Sequence, residues 1–157
     1  MKVVTGDLIK MAKDGEFNLI VHGCNCMCTM GKGIALQIKK NFPEAYEADQ
    51  RSVKGLKSKL GDTSSVWIDD YNLMVVNGYT QYDFRPTYDD DGVVRVDYEA
   101  IKKVFRTIGH NCRGLKNFKI GYPKIGAGLA GGDWDIISKI IDKELDGLDH
   151  TLVEWDG

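Results

Sequence analysis

The sequence lacks an excess of positive charge, a long hydrophobic run and a large number of cysteines. Its 157 residues contain 21 Lys and Arg against 23 Asp and Glu, and the net charge of −2 provides no basic surface for nucleic acid. The apolar run Leu-Ile-Val at 19–21 is too short to cross a membrane, and Met1 leads directly into a strand-like segment without a signal peptide. We therefore expect a cytoplasmic monomer with no nucleic-acid or membrane partner.

Three of the four cysteines follow each other as Cys24-x-Cys26-x-Cys28. A chain with 43% hydrophobic residues can build a core of its own, so a disulfide framework is not expected. Alternate residues of a strand point to opposite faces, and zinc sites usually contain Cys-x-x-Cys pairs. We therefore expect reduced cysteines, no metal site and no cofactor.

The hydrophobic pattern predicts one α/β domain over residues 1–157, with a mixed sheet between helices. Strands are predicted at 2–6, 17–23, 64–70, 72–79, 117–123 and 150–155, the third and fourth forming a hairpin. Helices are predicted at 8–12 and 34–42 and after the N-cap candidates Asp97 and Asp133. Pro43 either ends the second helix or begins another at 43–53, and 82–96 is predicted to be a loop.

The segment "GYPKIGAGLAGGDW" at 121–134 contains Gly126, Gly128 and Gly131, which match the Gly-x-Gly-x-x-Gly spacing of pyrophosphate-binding loops. We name residues 123–132 the second glycine loop. In dinucleotide-binding folds this motif lies in the first strand–helix–strand unit, but here it lies in the last quarter of the chain. Only one further strand follows it, which disfavours a nicotinamide cofactor.

A similar strand–glycine–helix arrangement occurs earlier, in "LIVHGCNCMCTMGKGIALQI". We name residues 26–34 the first glycine loop; its Gly31 and Gly33 permit close backbone approach. Parallel strands of one sheet would bring both loops to the same edge, where open α/β sheets bind ligands. The two loops could then enclose a diphosphate, or the glycines could serve only to form tight turns.

Three separated pieces in this order resemble the macrodomain family of ADP-ribose-binding α/β/α modules. They are "TGDLIK" at 5–10, "VHGCNCMCTMGKGIALQIKKNFP" at 21–43 and "YPKIGAGLAGGDW" at 122–134. The resemblance implies a three-layer fold with a mixed central sheet and ADP-ribose as the ligand.

The resemblance also implies binding roles for individual residues. Asp7 would accept a hydrogen bond from the adenine amino group, beside the Leu8 amide, and Asn25 would hold hydroxyls of the distal ribose. The two glycine loops would enclose the diphosphate and that ribose through Gly31, Lys32, Gly33, Ile34, Gly126, Ala127, Gly128, Leu129 and Ala130.

The residue sequences of the two glycine loops are most similar to those of macrodomains that act as ADP-ribose-1″-phosphate phosphatases. Related subgroups remove ADP-ribose from acidic side chains or DNA bases, and several of these use a lysine after a threonine near the distal ribose. In this sequence Gln81 follows Thr80 at that place. An uncharged Gln81 would position the ligand, so the resemblance favours the phosphatase; a glycohydrolase and a non-catalytic reader of ADP-ribose remain the alternatives.

Phosphate-ester hydrolysis requires a group that accepts a proton from water. His22 is the first candidate because imidazole titrates near neutral pH, and the alternative is a partly buried, hydrogen-bonded histidine. Asp133 could orient His22 or the attacking water while it caps a helix. Asn25 is the third candidate catalytic residue. The acidic cluster at 88–92 is interpreted as a solvated loop or a hairpin turn. Trp155 either covers the adenine or packs against the edge of the last strand, and we favour the packing role.

Overall fold

The described part of the chain forms a six-stranded sheet with helices on both faces. The computed structural model describes residues 1–83, 95–128 and 130–155. The strands are β1 Lys2–Gly6, β2 Leu19–Asn25, β3 Thr63–Ile68, β4 Leu73–Gln81, β5 Lys119–Tyr122 and β6 Asp149–Trp155. The helices are α1 Leu8–Lys13, α2 Gly33–Asn41, α3 Pro43–Arg51, α4 Tyr98–Cys112 and α5 Trp134–Glu144.

The sheet is mixed, as the sequence predicts. Its strand order is β1-β6-β5-β2-β4-β3, and every neighbouring pair is parallel except β3 and β4. These two form the expected hairpin, whose turn ends at Asn72 in the left-handed region with φ of 50°. The parallel strands all end at one edge of the sheet, which is where their loops emerge.

Buried side chains form a core on each face of the sheet. Leu19 and Val21 of β2 pack with α4 and α5, whereas Ile20 of the same strand packs with α1, α2 and α3. This alternation follows from the two-residue period of a strand. Because β2 is central and covered on both faces, its side chains are buried on either side, and the three-layer expectation is confirmed.

Side-chain caps fix where several helices begin. Asp97 accepts a hydrogen bond from the Ala100 N–H at 2.9 Å, and Asp133 accepts one from the Asp135 N–H at 2.9 Å, so both predicted N-caps are confirmed. Pro43 begins α3 rather than only ending α2, because the missing N–H of proline costs nothing in the first helical turn.

Some predicted boundaries differ from the structure. Strand β2 runs two residues later than predicted and therefore carries Asn25 within the strand. In the segment predicted to be a loop, Val96 forms a bridge with Gln81. The acidic cluster at 88–92 and the proposed ligand residue Leu129 lie outside the described residues. All four cysteines are free and buried, and no helix in the described ranges is long and apolar enough to cross a membrane.

Candidate functional site

The two glycine loops emerge from neighbouring strands at the same edge of the sheet. The first follows β2 and the second follows β5, and these two strands are adjacent and parallel. Strand β4 lies on the other side of β2 and places Gln81 in register with Asn25. The topology therefore brings both loops, Asn25 and Gln81 to one edge, as the sequence predicts.

Asn25 shapes the start of the first glycine loop. Its side-chain oxygen accepts the Met27 N–H at 2.9 Å, and its amide nitrogen donates to the backbone oxygen and hydroxyl of Thr29 at 3.2 and 2.9 Å. These bonds use both amide protons and one oxygen lone pair. One lone pair of the oxygen is left to accept a hydrogen bond from a ligand hydroxyl.

The first glycine loop ends in an uncapped helix. Lys32 occupies the N-cap position of α2 without a capping side-chain hydrogen bond, and Gly33 adopts a positive φ of 59°. Leu36 is the first residue whose N–H reaches a carbonyl, that of Lys32 at 3.3 Å, so the N–H groups of Gly33, Ile34 and Ala35 have no partner within the helix. Together with the helix dipole, they create a site for an anion.

Backbone hydrogen bonds, one within the loop and one from Arg95, hold the second glycine loop. The Gly132 N–H donates to the Gly126 carbonyl at 2.6 Å, and the Arg95 N–H donates to the Ala130 carbonyl at 2.8 Å. Gly126 has a φ of 76°, and a Cβ atom there would lie 2.6 Å from a methyl carbon of Val96. Only glycine satisfies both conditions, which explains this residue as a structural requirement of the loop.

A cavity of about 1110 Å³ extends from the first glycine loop along α1 and α2. Of the predicted ligand residues, it is lined by Asp7, Leu8, Gly33 and Ile34. The other described candidates at this edge lie outside the lining: Asn25, Gly31, Lys32, Gln81, Gly126, Ala127, Gly128 and Ala130. The cavity thus joins the helix terminus that suits an anion to the carboxylate predicted to bind adenine.

Asp7 caps α1 and also lines the cavity. One oxygen caps α1 by accepting the N–H groups of Ile9 and Lys10 at 3.0 and 3.2 Å. The other oxygen receives no hydrogen bond from the described residues and is available in the cavity. A carboxylate held in this way can accept a hydrogen bond from an amine.

The family model of the macro domain matches residues 21–141, which is most of the chain. The chain is a macrodomain.

Three relatives illustrate the range of proteins that this macrodomain resembles. An uncharacterised 17.5 kDa protein of Enterobacteria phage T4 is 33% identical over 99% of this chain and 97% of its own length. An ADP-ribose 1″-phosphate phosphatase of Candida albicans is 25% identical over 97% of both chains. A DNA ADP-ribosyl glycohydrolase of Mycobacterium tuberculosis is 27% identical over 86% of this chain but only 36% of its own length. The solved macrodomain of Mycobacterium tuberculosis DarG shares the fold, with a TM-score of 0.73 at 23% identity, covering 97% of this chain and 95% of that one.

His22 of this macrodomain does not line the cavity. Its side chain is 1% exposed and lies on the face of β2 that α3 covers. Asn77 donates its amide protons to the Ala45 carbonyl and the Ser64 hydroxyl, so its oxygen faces His22, whose Nε2–H donates to it at 2.7 Å. Burial lowers the pKa of His22 from 6.5 to about 4, although this hydrogen bond acts in the opposite direction. The structure therefore favours the alternative of a buried, hydrogen-bonded histidine over an imidazole that titrates near neutral pH.

Asp133 is exposed at the point where the second glycine loop enters α5. Its Oδ1 caps the helix, and its backbone N–H donates to the Tyr98 hydroxyl at 3.0 Å. Its Oδ2 accepts no hydrogen bond within the described ranges. This oxygen is free to bind water beside the loop.

The cavity has further lining residues beyond Asp7, Leu8, Gly33 and Ile34. Trp155 lines the cavity and is 70% exposed, so the favoured packing role is wrong. Lys124 and Glu154 form an ion pair of 3.6 Å at the same end. Gln37 and Asn41 also line the cavity. Their four-residue spacing places them on one face of α2, and this spacing is the sequence signal that could have predicted their shared position. Within residues 1–83, 95–128 and 130–155, no group of three or more His, Cys, Asp or Glu side chains is arranged to hold a metal ion.

Proposed function

We propose that this macrodomain binds ADP-ribose and hydrolyses the phosphate ester of ADP-ribose-1″-phosphate to ADP-ribose and phosphate, without a metal. The observation that carries the proposal is the uncapped start of α2 in the same cavity as Asp7. An anion-binding helix terminus and an amine-binding carboxylate are the two features that an adenosine diphosphate requires. The similarity to the phosphatase of Candida albicans over nearly the full length of both chains supports this choice.

The adenine amino group is proposed to donate to the free oxygen of Asp7, and the diphosphate to bind the amides that begin α2. The second glycine loop closes over the diphosphate from the neighbouring strand, which leaves the distal ribose near Asn25 and Gln81. The register between β2 and β4 supports this last placement, because it sets these two amide side chains side by side.

The exchange Asp7→Asn is expected to weaken ADP-ribose binding about tenfold, because an amide that presents its NH₂ group cannot accept from adenine, and hydrogen bonds to charged groups contribute about 1.5–3 kcal/mol. Stability should change little, since asparagine is also a good N-cap. Isothermal titration calorimetry measures the first effect and thermal melting the second. Asp97→Asn makes the same exchange at the N-cap of α4, away from this cavity, and should bind ADP-ribose normally. Equal affinity of the two variants would remove Asp7 from the site.

Trp155→Ala is expected to weaken ADP-ribose binding about tenfold, because stacking of a base on an aromatic ring contributes about 1–3 kcal/mol. The side chain is largely exposed, so the melting temperature should stay close to that of the unmodified protein. Trp67→Ala is the matched control, since Trp67 is 43% exposed on β3 and does not line the cavity. Fluorescence titration with ADP-ribose compares both variants. If Trp155→Ala binds as well as Trp67→Ala, the adenine does not contact Trp155.

The hydrolysis requires water to attack phosphorus while the bond from phosphorus to the 1″ oxygen breaks and that oxygen takes up a proton. We propose Asp133 as the group that orients the water and accepts its proton, because its second carboxylate oxygen is exposed beside the second glycine loop. Amides of both loops would stabilise the charge on the phosphoryl oxygens. His22 is proposed to be structural, since it is buried beneath α3 with its Nε2–H bound to Asn77.

Removal of ADP-ribose from nucleic acid or protein is the second candidate, favoured by the similarity to the mycobacterial DNA ADP-ribosyl glycohydrolase. Gln81 disfavours a hydrolysis that depends on a lysine at this position, because a neutral amide takes up no proton at neutral pH. Incubating the protein with ADP-ribose-1″-phosphate, ADP-ribosylated DNA and ADP-ribosylated protein in parallel separates the candidates. We expect phosphate release in a chelator-containing buffer. Release of ADP-ribose only from DNA or protein would favour the second candidate, and binding without any turnover would make the protein a reader.

A further inference from the structure

A buried polar cluster includes one residue of the first glycine loop, and none of its side chains lines the cavity. It consists of Cys28 from that loop, Asp49 and Ser52 at the end of α3, Lys59 from a short 3-10 turn at Lys57–Lys59, and Tyr79 from β4. The ligand site described above uses none of these side chains. Buried lysines are rare in proteins unless a charged partner is close, so the cluster requires an explanation.

Lys59 makes unusual contacts for a buried cation. It is 7% exposed, and its ammonium group donates to the Ser52 hydroxyl at 2.6 Å and to the Cys28 sulfur at 3.5 Å. The same nitrogen lies 4.0 Å from the centre of the Tyr79 ring. No carboxylate of the described residues lies within 4.0 Å of this nitrogen. Its side-chain acceptors are instead the Ser52 hydroxyl and the Cys28 sulfur.

The backbone of the first glycine loop holds the Cys28 sulfur in this position. Cys28 adopts a φ of 57°, in the left-handed region that non-glycine residues seldom occupy. Its thiol lies 3.3 Å from the Asp49 carbonyl, and its own carbonyl accepts the Gln50 side-chain amide at 2.6 Å. A strained conformation fixed by two contacts to α3 keeps sulfur and nitrogen together.

The cluster also contains a group that can accept a proton. Asp49 is 1% exposed; one oxygen accepts the Tyr79 O–H at 2.8 Å, and the other, Oδ2, has no hydrogen-bond partner. Burial raises the pKa of the Asp49 carboxyl, while Tyr79 and Lys59 oppose that shift. A buried carboxylate oxygen without a partner is suited to take up a proton that is released nearby.

We propose that Cys28 and Lys59 form a modification site, at which hydrogen peroxide joins the two side chains through a Cys28 Sγ–O–Nζ Lys59 bridge. In the first step peroxide oxidises the thiol to a sulfenic acid and releases water. In the second step the lysine ammonium loses one proton, which reaches the Asp49 carboxylate through the hydroxyl groups of Ser52 and Tyr79. Another peroxide then oxidises the resulting amine and the sulfenic acid together, forming the O–N bond and releasing two water molecules. An intervening oxygen atom requires less movement of the two groups than a direct S–N bond does.

The two neighbouring cysteines are less suited to this reaction. Burial raises the pKa of Cys24 well above its usual range and that of Cys26 to about 11, and protonated thiols react slowly with oxidants. Among the described residues, Lys59 donates to no cysteine other than Cys28. The bridge would tether the loop that leads into α2 to the Lys57–Lys59 turn.

The test is mass spectrometry of the purified full-length protein after treatment with hydrogen peroxide and digestion with trypsin. We expect a peptide pair joined at Cys28 and Lys59 that has gained one oxygen atom and lost two hydrogen atoms, and that separates again after reduction with dithiothreitol. The bridged protein should melt at a higher temperature than the reduced one, because the link restricts the unfolded chain.

Lys59→Arg keeps the charge but removes the primary amine, and it should abolish the joined peptides. Cys28→Ser should do the same and provides a second variant if the arginine disturbs folding, which circular dichroism would show. Cys112→Ser, at a buried cysteine of α4, should leave the bridge unchanged. The proposal is overturned by joined peptides that persist in Lys59→Arg, by a disulfide or sulfinic acid at Cys28 without a link to Lys59, or by no change at all.

Discussion

Replacing Asp133 with asparagine is expected to lower the rate of phosphate release from ADP-ribose-1″-phosphate about a hundredfold or more, the usual contribution of a general base. Asparagine has the shape of aspartate and can still cap α5, but its amide accepts no proton from water at neutral pH. ADP-ribose binding should be unchanged, because Asp133 is not among the proposed binding groups. Phosphate release under saturating substrate is the measurement.

Asp97→Asn provides the matched control for this variant, because Asp97 caps α4 as Asp133 caps α5. It should retain full turnover, so that a loss seen only in Asp133→Asn belongs to the carboxylate and not to the cap. Full turnover in Asp133→Asn, with normal folding, would remove Asp133 from the mechanism. Another group would then accept the proton from water.

The free energy of unfolding is expected to fall by about 3 kcal/mol through His22 alone when the pH decreases from about 6.5 to about 4. The folded protein holds the pKa of His22 at about 4 because the ring is buried, whereas the unfolded chain binds the proton near 6.5. Between these values the unfolded state carries the proton and the folded state does not, so acid favours unfolding. Above pH 6.5 both states are neutral, and the full stability is present. Urea denaturation at a series of pH values measures this slope.

His22→Gln is the variant that isolates this effect, because its amide nitrogen can still donate to Asn77 but does not titrate. Its stability should depend less steeply on pH across this window. His150, whose pKa is also lowered by burial, contributes to the slope of both proteins and cancels in the comparison. His22→Gln should also retain most of the phosphatase activity. An unchanged slope would contradict the buried state of His22, and loss of turnover in a folded variant would make it a catalytic residue.

The order of strands and helices could be predicted from the sequence because local signals were strong. The stripe of Ile101, Val104, Phe105 and Ile108 indicates which face of α4 is buried, and the structure confirms it. Asp97 and Asp133 mark the helix starts through chemistry that depends only on neighbouring residues. The arrangement of the glycine loops at one edge followed from parallel strands, which the sheet order confirms.

The position of His22 could not be predicted, because β2 is covered on both faces and its buried residues show no polar–apolar alternation. The two-residue period of the strand places His22 on the face of Ile20, but nothing local to the sequence shows that α3 covers that face. The exposure of Trp155 could not be predicted for a different reason. This residue ends β6 beside the edge strand β1, and whether a neighbouring element covers it depends on tertiary packing.

The most direct test of the central claim is a crystal structure of the protein soaked with ADP-ribose. The diphosphate should accept hydrogen bonds from the amides that begin α2 and from amides of the second glycine loop at the same time, with the adenine amino group at Asp7. A diphosphate bound by only one of these loops, or a ligand bound elsewhere on the molecule, would contradict the proposed site and the function built on it.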